Sequence, residues 1–144
     1  MRIERIMDAA DVHRAADLFD SAPLPAATER FLAEAGHHLL LAYDEDDRAV
    51  GMISGVEMTH PDKGTEMFIY ELGVAPAARL QGIGARLVAA LAGIARGRGC
   101  YGMWVGTEVD NDAALATYRR AGARDEAGFT LLNWDLIDID GEHA

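Results

Sequence analysis

Hydrophobic residues change their spacing several times along the chain, and each change marks a structural element. Short apolar runs bounded by turn residues predict six strands, over Arg2–Ile6, His38–Tyr43, Ala49–Met58, Glu66–Val74, Tyr101–Gly106 and Phe129–Ile137. Apolar residues at three- and four-residue spacing predict four helices, over Asp8–Phe19, Ala26–Ala35, Gly82–Arg96 and Asn111–Ala121, with Asp8 as the first N-cap. The order β-α-α-β-β-β-α-β-α-β predicts one mixed α/β domain over residues 1–144, a central sheet flanked by helices.

Composition narrows the possible classes of function. Half of the residues are apolar, and 24 acidic against 13 basic side chains give a net charge of −11. Nucleic-acid binding depends on Lys and Arg, so this balance argues against it. The acidic surface either attracts cationic small molecules or only keeps the protein in solution. No apolar run approaches the ~20 residues that a membrane span requires, and no apolar stretch follows the first basic residues. The chain has a single cysteine. We therefore expect a cytoplasmic protein that does not bind membranes.

A glycine-containing loop joins the apolar strand ending at Val74 to the following helix. Gly82 and Gly84 allow the backbone to approach a ligand closely, and the N–H groups at the start of the helix form a site for an anion. Arg79 adds a charge-assisted contact. The loop lacks the Lys-Ser or Lys-Thr of a Walker A motif, and Leu87 stands where a dinucleotide fingerprint needs its third glycine. The sequence therefore predicts a different phosphate-binding loop, with a tightly packed helix entry as the alternative.

Two motifs carry a resemblance to a known family. Arg79, Gly82 and Gly84 form R-x-x-G-x-G, and the segment from Asn111 to Gly122 is similar to N-x-x-A-x-x-x-Y-x-x-x-G. In this order they resemble the GNAT superfamily of N-acetyltransferases. The resemblance implies acetyl-CoA as co-substrate and no metal. It places the co-substrate against Leu72, Gly73, Val74, Arg79, Leu80, Gln81, Gly82, Ile83, Gly84, Ala85, Asn111 and Tyr118.

The same resemblance implies a mechanism of direct transfer. Backbone N–H groups around Leu72–Val74, in a strand with a β-bulge, polarise the thioester carbonyl, and Tyr118 protonates the leaving thiolate. Glu71 is our candidate for the base, because burial in an apolar strand raises the pKa of a carboxyl group. Strict alternation along the strand would instead turn Glu71 to solvent. Cys100 is expected to be a buried, inert thiol, and the five histidines show no metal-ligand spacing.

A narrower resemblance concerns the amine. Residues 66–91 and 107–118 are similar to the type I aminoglycoside 3-N-acetyltransferases, which implies transfer to the 3-amino group of a 2-deoxystreptamine ring and antibiotic resistance. Glu71 stands where that branch has aspartate, which moves the carboxylate by one methylene. The amine site is then expected to contain acids and one aromatic residue, Tyr70, Glu71, Glu108, Asp110 and Asp112, with Glu57 as a weaker candidate. A solvated acidic rim is the alternative, which we favour for Glu57 and Glu108.

Other interpretations stay open at this point. A GNAT enzyme acting on a polyamine, an amino-acid derivative or a protein N-terminus would carry the same two motifs. A catalytically idle acyl-CoA-binding module is the alternative from another class, against which Glu71 and Tyr118 argue. The apolar stretch Phe129–Ile137 would serve equally as an ordinary sheet edge or as the contact of a homodimer.

Overall fold

In the computed structural model, which describes residues 1–137, five strands form one mixed sheet in the order β1-β2-β3-β4-β5. The strands are β1 (Arg2–Arg5), β2 (His37–Tyr43), β3 (Ala49–His60), β4 (Gly64–Val74) and β5 (Met103–Trp104). β1 to β4 are successively antiparallel, whereas β5 runs parallel to β4. The helices are α1 (Ala9–Arg14), α2 (Pro25–Ala33), α3 (Ile83–Gly97) and α4 (Asp112–Arg120). Within residues 1–137, no helix is long and apolar enough to cross a membrane.

Strand alternation divides the core into two layers. Leu39 and Leu41 of β2 pack with α1 on one face of the sheet, while Leu40 between them packs beneath α3 on the other. Glycine allows α3 to lie close to β3, because a Cβ at Gly51 would come within 2.9 Å of Ile83. The close contact fixes the position of α3, and with it the loop that leads into this helix.

Most predicted elements are confirmed, with ends displaced by a few residues. Asp8 caps α1 as predicted, since its side chain accepts a hydrogen bond from the N–H of Ala10 at 2.9 Å. The first helix was predicted to reach Phe19 but ends at Arg14, and a 3₁₀ turn over Ala16–Leu18 follows it. The strand predicted over Tyr101–Gly106 shortens to the two residues of β5.

The predicted last strand over Phe129–Ile137 is wrong for the single chain. These residues follow α4 without regular secondary structure, and their large apolar side chains are exposed. The sequence has the composition of a strand, but strand formation also requires a neighbouring strand and a surface to pack on. Among the described residues of one chain, this segment pairs with no strand and its large side chains are not covered.

Candidate active site

A β-bulge in β4 determines which way its side chains point. Ser54 of β3 pairs with Glu71, but the next residue, Gly55, pairs with Ile69. Tyr70 is therefore the extra residue of a bulge, which lies earlier in the strand than the predicted position around Leu72–Val74. A bulge advances the alternation of side chains by one residue.

The direction of Glu71 follows from this advance. Before the bulge, Met67 and Ile69 pack beneath α3; after it, Leu72 and Val74 do so. Without the extra residue, the odd-numbered Glu71 would continue the series of Met67 and Ile69. With the bulge, its carboxylate points to the opposite face of the sheet, where α1 and the 3₁₀ turn lie.

Glu71 is held there by the backbone of the loop that follows the 3₁₀ turn. The N–H of Asp20 donates a hydrogen bond to Glu71 Oε1 at 2.7 Å. Partial burial raises the pKa of the Glu71 carboxyl, as predicted, and the charge of Asp20 raises it further, while the hydrogen bond from the Asp20 N–H opposes the shift. Sequence reasoning missed Asp20, because nothing in its local pattern signals a contact with a strand so distant along the chain.

The loop approaches β4 closely only because residue 73 is glycine. A Cβ at Gly73 would collide with the carbonyl oxygen of Leu18. Any larger residue would push the loop outward and would carry the Asp20 N–H away from Glu71. Gly73 was predicted to act through its backbone N–H, and this packing role is an additional constraint on its identity.

Beyond the bulge, β4 and β5 separate and leave a gap. The two strands pair only through Met67 and Phe68 of β4. The N–H of Ala75 points to β3, so by alternation the N–H groups of Leu72 and Val74 point into the gap. These two donors fit the predicted role of polarising a carbonyl group.

The loop before α3 presents backbone donors to an anion. Leu80 and Gly82 both have positive φ, 63° and 78°, a conformation that turns successive N–H groups to one side. Gly82 is the N-cap residue of α3 and has no side chain that could cap the helix. The first N–H groups of a helix, here those of Ile83, Gly84 and Ala85, have no partner within the helix. The left-handed backbone at Leu80 is strained for a non-glycine residue. The residues present therefore fit a pyrophosphate.

The side chains of this loop lie at the surface. The Leu80 and Gln81 side chains are exposed. Arg79 is exposed as well, and its Nε donates to the carbonyl oxygen of Val74 at 3.3 Å. This contact uses the Nε–H of the guanidinium and leaves its other N–H groups for a ligand.

A cleft of about 510 Å³ opens beside the same loop. Its walls include two arginines, Arg48 and Arg86, together with one acid, Asp44. Glu71 and Tyr118 do not line this cleft, so it adjoins the loop and not the gap between β4 and β5.

α4 supplies the other predicted groups. Asn111 caps α4 by accepting a hydrogen bond from the N–H of Ala114 at 3.1 Å, which leaves its amide nitrogen for a ligand. α4 packs closely against α3, as shown by the short distance of 2.9 Å that would separate a Cβ added at Gly84 from Thr117. Tyr118 is half-buried against the core, and burial raises the pKa of its phenol. The hydroxyl therefore stays protonated at neutral pH.

The structure divides the predicted amine-site residues into two groups. Tyr70 and Glu71 are adjacent at the bulge, and the Tyr70 side chain is 72% exposed. Glu108, Asp110 and Asp112 are exposed at the start of α4. Glu71 lies on the α1 face of β4, whereas Tyr118 packs on the α3 face.

Glu57 belongs to neither group, and the solvated rim that we favoured for it is wrong, because its side chain is only 12% exposed. Its Oε2 lies 2.7 Å from Nε2 of His38 and accepts from Nε of Arg98 at 2.9 Å. Burial opposes the charge of Glu57, but these hydrogen bonds outweigh it and lower the pKa of the carboxyl. Strand alternation places Glu57 beneath α3, on the opposite face from Glu71, where it fastens the end of that helix. Nearby, burial raises the pKa of the Cys100 thiol, which agrees with an inert thiol.

Comparison with known proteins points to one family. Residues 6–123 match the acetyltransferase (GNAT) family. A mycothiol acetyltransferase of Clavibacter sepedonicus is 39% identical over 89 residues, which make up 62% of this chain but only 28% of that protein. The chain therefore spans less than a third of the length of this curated relative.

Two solved structures have the same fold. An aminoglycoside acetyltransferase, meta-AAC0020 from an uncultured soil metagenomic sample, in complex with sisomicin has a TM-score of 0.85 at 21% identity, over 94% of this chain and 96% of that chain. An aminoglycoside N-acetyltransferase, AAC(6′)-Iy, in complex with CoA has a TM-score of 0.80 at 17% identity, over 93% and 99%. At these identities the likeness shows the fold.

The packing of Gly73 can be tested directly. We expect Gly73→Ala to lower the free energy of unfolding by about 1–3 kcal/mol, because the added methyl group collides with the Leu18 carbonyl. Gly102→Ala is the matched control, since a Cβ there has no neighbour within 4 Å, and it should change stability by less than ~0.5 kcal/mol. Urea unfolding measures both, and equal stabilities would contradict the close approach of the loop.

Proposed function

Because its residues 6–123 match the acetyltransferase (GNAT) family, the chain belongs to that family, and from this premise we propose that it transfers an acetyl group from acetyl-CoA directly to the 3-amino group of a 2-deoxystreptamine aminoglycoside. Such an enzyme would confer antibiotic resistance. The observation that carries the proposal is the gap beyond the Tyr70 bulge. Glu71, a carboxyl group of raised pKa next to the bulge, lies on the α1 face of the sheet, and Tyr118, a protonated phenol, packs on the α3 face.

In the proposed reaction, acetyl-CoA supplies the acetyl thioester. The loop from Arg79 to Ala85 binds the pyrophosphate through backbone N–H groups, and the amide of Asn111 holds the pantetheine arm. The N–H groups of Leu72 and Val74 donate to the thioester carbonyl oxygen and stabilise the charge that develops on it.

Two side chains move the protons. Glu71, directly or through a water molecule, takes the proton from the attacking amine as the nitrogen–carbon bond forms. The carbon–sulfur bond then breaks, and the Tyr118 hydroxyl gives its proton to the departing thiolate. The raised pKa values suit both roles, because Glu71 becomes a stronger base and Tyr118 remains protonated.

Charge supports a polycationic amine. The chain has a net charge of −11, and Glu108, Asp110 and Asp112 are exposed at the start of α4. An acidic rim raises the local concentration of cations and accepts hydrogen bonds from ammonium groups. The resemblance of residues 66–91 favours the 3-amino group, and the solved structures of similar fold include enzymes named for the 6′-position, so regiochemistry is part of the test.

A second candidate is acetylation of a different small amine. The mycothiol acetyltransferase is 39% identical over a segment that makes up 62% of this chain. A third candidate, an acyl-CoA-binding module without turnover, requires that Glu71 and Tyr118 have no catalytic role.

The role of Glu71 leads to a prediction about pH. We expect Glu71→Gln to lower kcat by about 100-fold or more near neutral pH, because the amide still accepts the Asp20 N–H but cannot take a proton. The loss should be largest between the pKa of Glu71 and that of the amine, where the base is charged and the amine is protonated. It should shrink at higher pH, where the amine is already neutral. A pH profile of kcat/KM for wild type and variant measures this.

Stability provides the control. Since the folded pKa of Glu71 is raised above its ordinary 4.5, the contribution of this carboxyl group to stability is present below pH 4.5 and is lost as the pH rises through the folded pKa. Glu71→Gln should therefore be at least as stable as wild type at neutral pH. Glu29→Gln, at an exposed position of α2, should change neither rate nor stability. A loss of rate independent of pH would show that Glu71 positions the substrate and does not act as the base.

A separate prediction concerns the acid. Tyr118→Phe should lower kcat by about 100-fold while the Kd for acetyl-CoA stays within about threefold, because the ring still packs against the core and only the hydroxyl is lost. Steady-state kinetics and calorimetric titration give the two values, with the exposed Tyr101→Phe as control. Unchanged turnover would remove Tyr118 from the mechanism.

The substrate is tested by CoA release with a panel of amines. The panel contains gentamicin, sisomicin, kanamycin, spermidine, desacetylmycothiol, free amino acids and a short peptide, with Glu71→Gln as the inactive enzyme. We expect rapid turnover confined to aminoglycosides, with NMR of the product placing the acetyl group on the 3-amino nitrogen.

The other outcomes of the amine panel distinguish the remaining candidate functions. Acetylation at another aminoglycoside position would keep the substrate class and reject the 3-amino assignment. Turnover of desacetylmycothiol or another amine would replace the substrate. Binding of acetyl-CoA without turnover of any amine would favour the non-catalytic module.

A further inference from the structure

The backbone of the loop after the 3₁₀ turn is held in place next to Glu71. Leu18 and Phe19 pack against the core layer on the α1 face of the sheet, and the carbonyl oxygen of Leu18 lies against Gly73 of β4. The chain is extended at Phe19, with φ −87° and ψ 152°. The next N–H, that of Asp20, is thereby held over β4, where it donates to Glu71 Oε1 at 2.7 Å.

This hydrogen bond has two opposite consequences for the carboxyl group of Glu71. It holds the group in one orientation, with Oε1 occupied and Oε2 left to take a proton. Partial burial raises the pKa of Glu71, but a donor to the carboxylate stabilises its charged form and opposes that shift. Every residue except proline would supply the same N–H at position 20. A neutral residue there would orient Glu71 but would leave it a weaker base.

The side chain at position 20 acts in the other direction. Partial burial is the largest cause of the raised pKa of Glu71, and the charge of Asp20 adds to it, because neighbouring carboxylates repel each other. An aspartate at this position therefore combines an N–H that orients the carboxylate with a charge that offsets the effect of the N–H on its basicity.

Among the described residues, no other charged group has this effect. The neighbour of Glu71 across β3 is Ser54, and β5 consists of the uncharged Met103 and Trp104. The other elements on the α1 face carry charged or titratable residues that do not contribute to the pKa of Glu71: Asp11, His13 and Arg14 of α1, Asp17 of the 3₁₀ turn, and Glu29 and Arg30 of α2. Within residues 1–137, Asp20 is therefore the charge that acts on Glu71.

We propose that Asp20 is a positioning residue for the acetyl transfer: its backbone N–H orients the carboxylate of Glu71, and its side-chain charge keeps that carboxylate an effective proton acceptor. The inference rests on the proposed function, in which Glu71 takes the proton from the attacking amine. The proton moves from the amine nitrogen to Glu71 as the nitrogen–carbon bond forms, and Asp20 neither gains nor loses one.

Asp20→Asn separates the two effects, because asparagine keeps the backbone N–H and the size of the side chain but removes the charge. In a ¹³C NMR titration, we expect the midpoint of the Glu71 carboxyl signal to move to lower pH in this variant. Asp17→Asn removes an exposed acid from the neighbouring 3₁₀ turn and should leave the midpoint where it is. In wild type, the amide proton signal of Asp20 should shift with the same midpoint, because this N–H is bonded to the titrating group.

Kinetics provide a readout that a purely structural role of Asp20 would not change. A weaker base transfers protons more slowly, so kcat/KM of Asp20→Asn should fall roughly two- to tenfold at neutral pH. Below the folded pKa of Glu71, the ratio of variant to wild type should rise to one or above, because a larger fraction of Glu71 is ionised in the variant. A loss of the same size at every pH would show that Asp20 only holds the loop, and would overturn the proposal.

The titration separates this proposal from the proposed function. An unchanged Glu71 midpoint in Asp20→Asn would overturn the role of Asp20 even in an active enzyme. An Asp20 amide proton in wild type that does not respond to the titration of Glu71 would do the same. A shifted midpoint without turnover of any amine would overturn the acetyl transfer, and this role with it, while the effect of Asp20 on Glu71 stands.

Discussion

The single extra residue in β4 is the constraint on which the proposed chemistry depends. Because Tyr70 is a bulge, odd-numbered side chains face the core beneath α3 before it, as Ile69 does, and even-numbered side chains face the same core after it, as Leu72 and Val74 do. Glu71 is thereby turned to the other face and is not buried beneath α3. A regular strand with this sequence would have to bury a carboxylate in the core or expose two apolar side chains, and either would cost several kcal/mol.

The same bulge accounts for the shape around Glu71. Parallel pairing between β4 and β5 stops before the bulge, and the strands separate where the N–H groups of Leu72 and Val74 become available. Close packing keeps the walls of this gap in place: the loop at Leu18 closes over Gly73, and α4 lies against Gly84. At both glycines, a neighbouring backbone or helix lies so close that a larger residue would not fit. Packing therefore restricts which residue can stand there more strongly than the local backbone conformation does.

Features set by local chemistry could be predicted from the sequence. Asn111 caps its helix because a capping side chain acts on the next three residues, and the loop from Arg79 depends on a short motif. Features set by distant contacts could not. Asp20 donates a hydrogen bond to Glu71, 51 residues further along the chain, and Glu57 pairs with Arg98, 41 residues further along. The stretch Phe129–Ile137 has the composition of a strand, but whether it becomes one depends on a partner edge outside its own sequence.

A crystal structure with acetyl-CoA bound would test the central claim most directly, because that claim concerns the gap beyond the bulge. The account predicts the thioester carbonyl oxygen within about 2.7–3.1 Å of the Leu72 or Val74 N–H, between the carboxylate of Glu71 and the hydroxyl of Tyr118. A thioester bound outside this gap, for example in the cleft lined by Arg48 and Arg86, would contradict it.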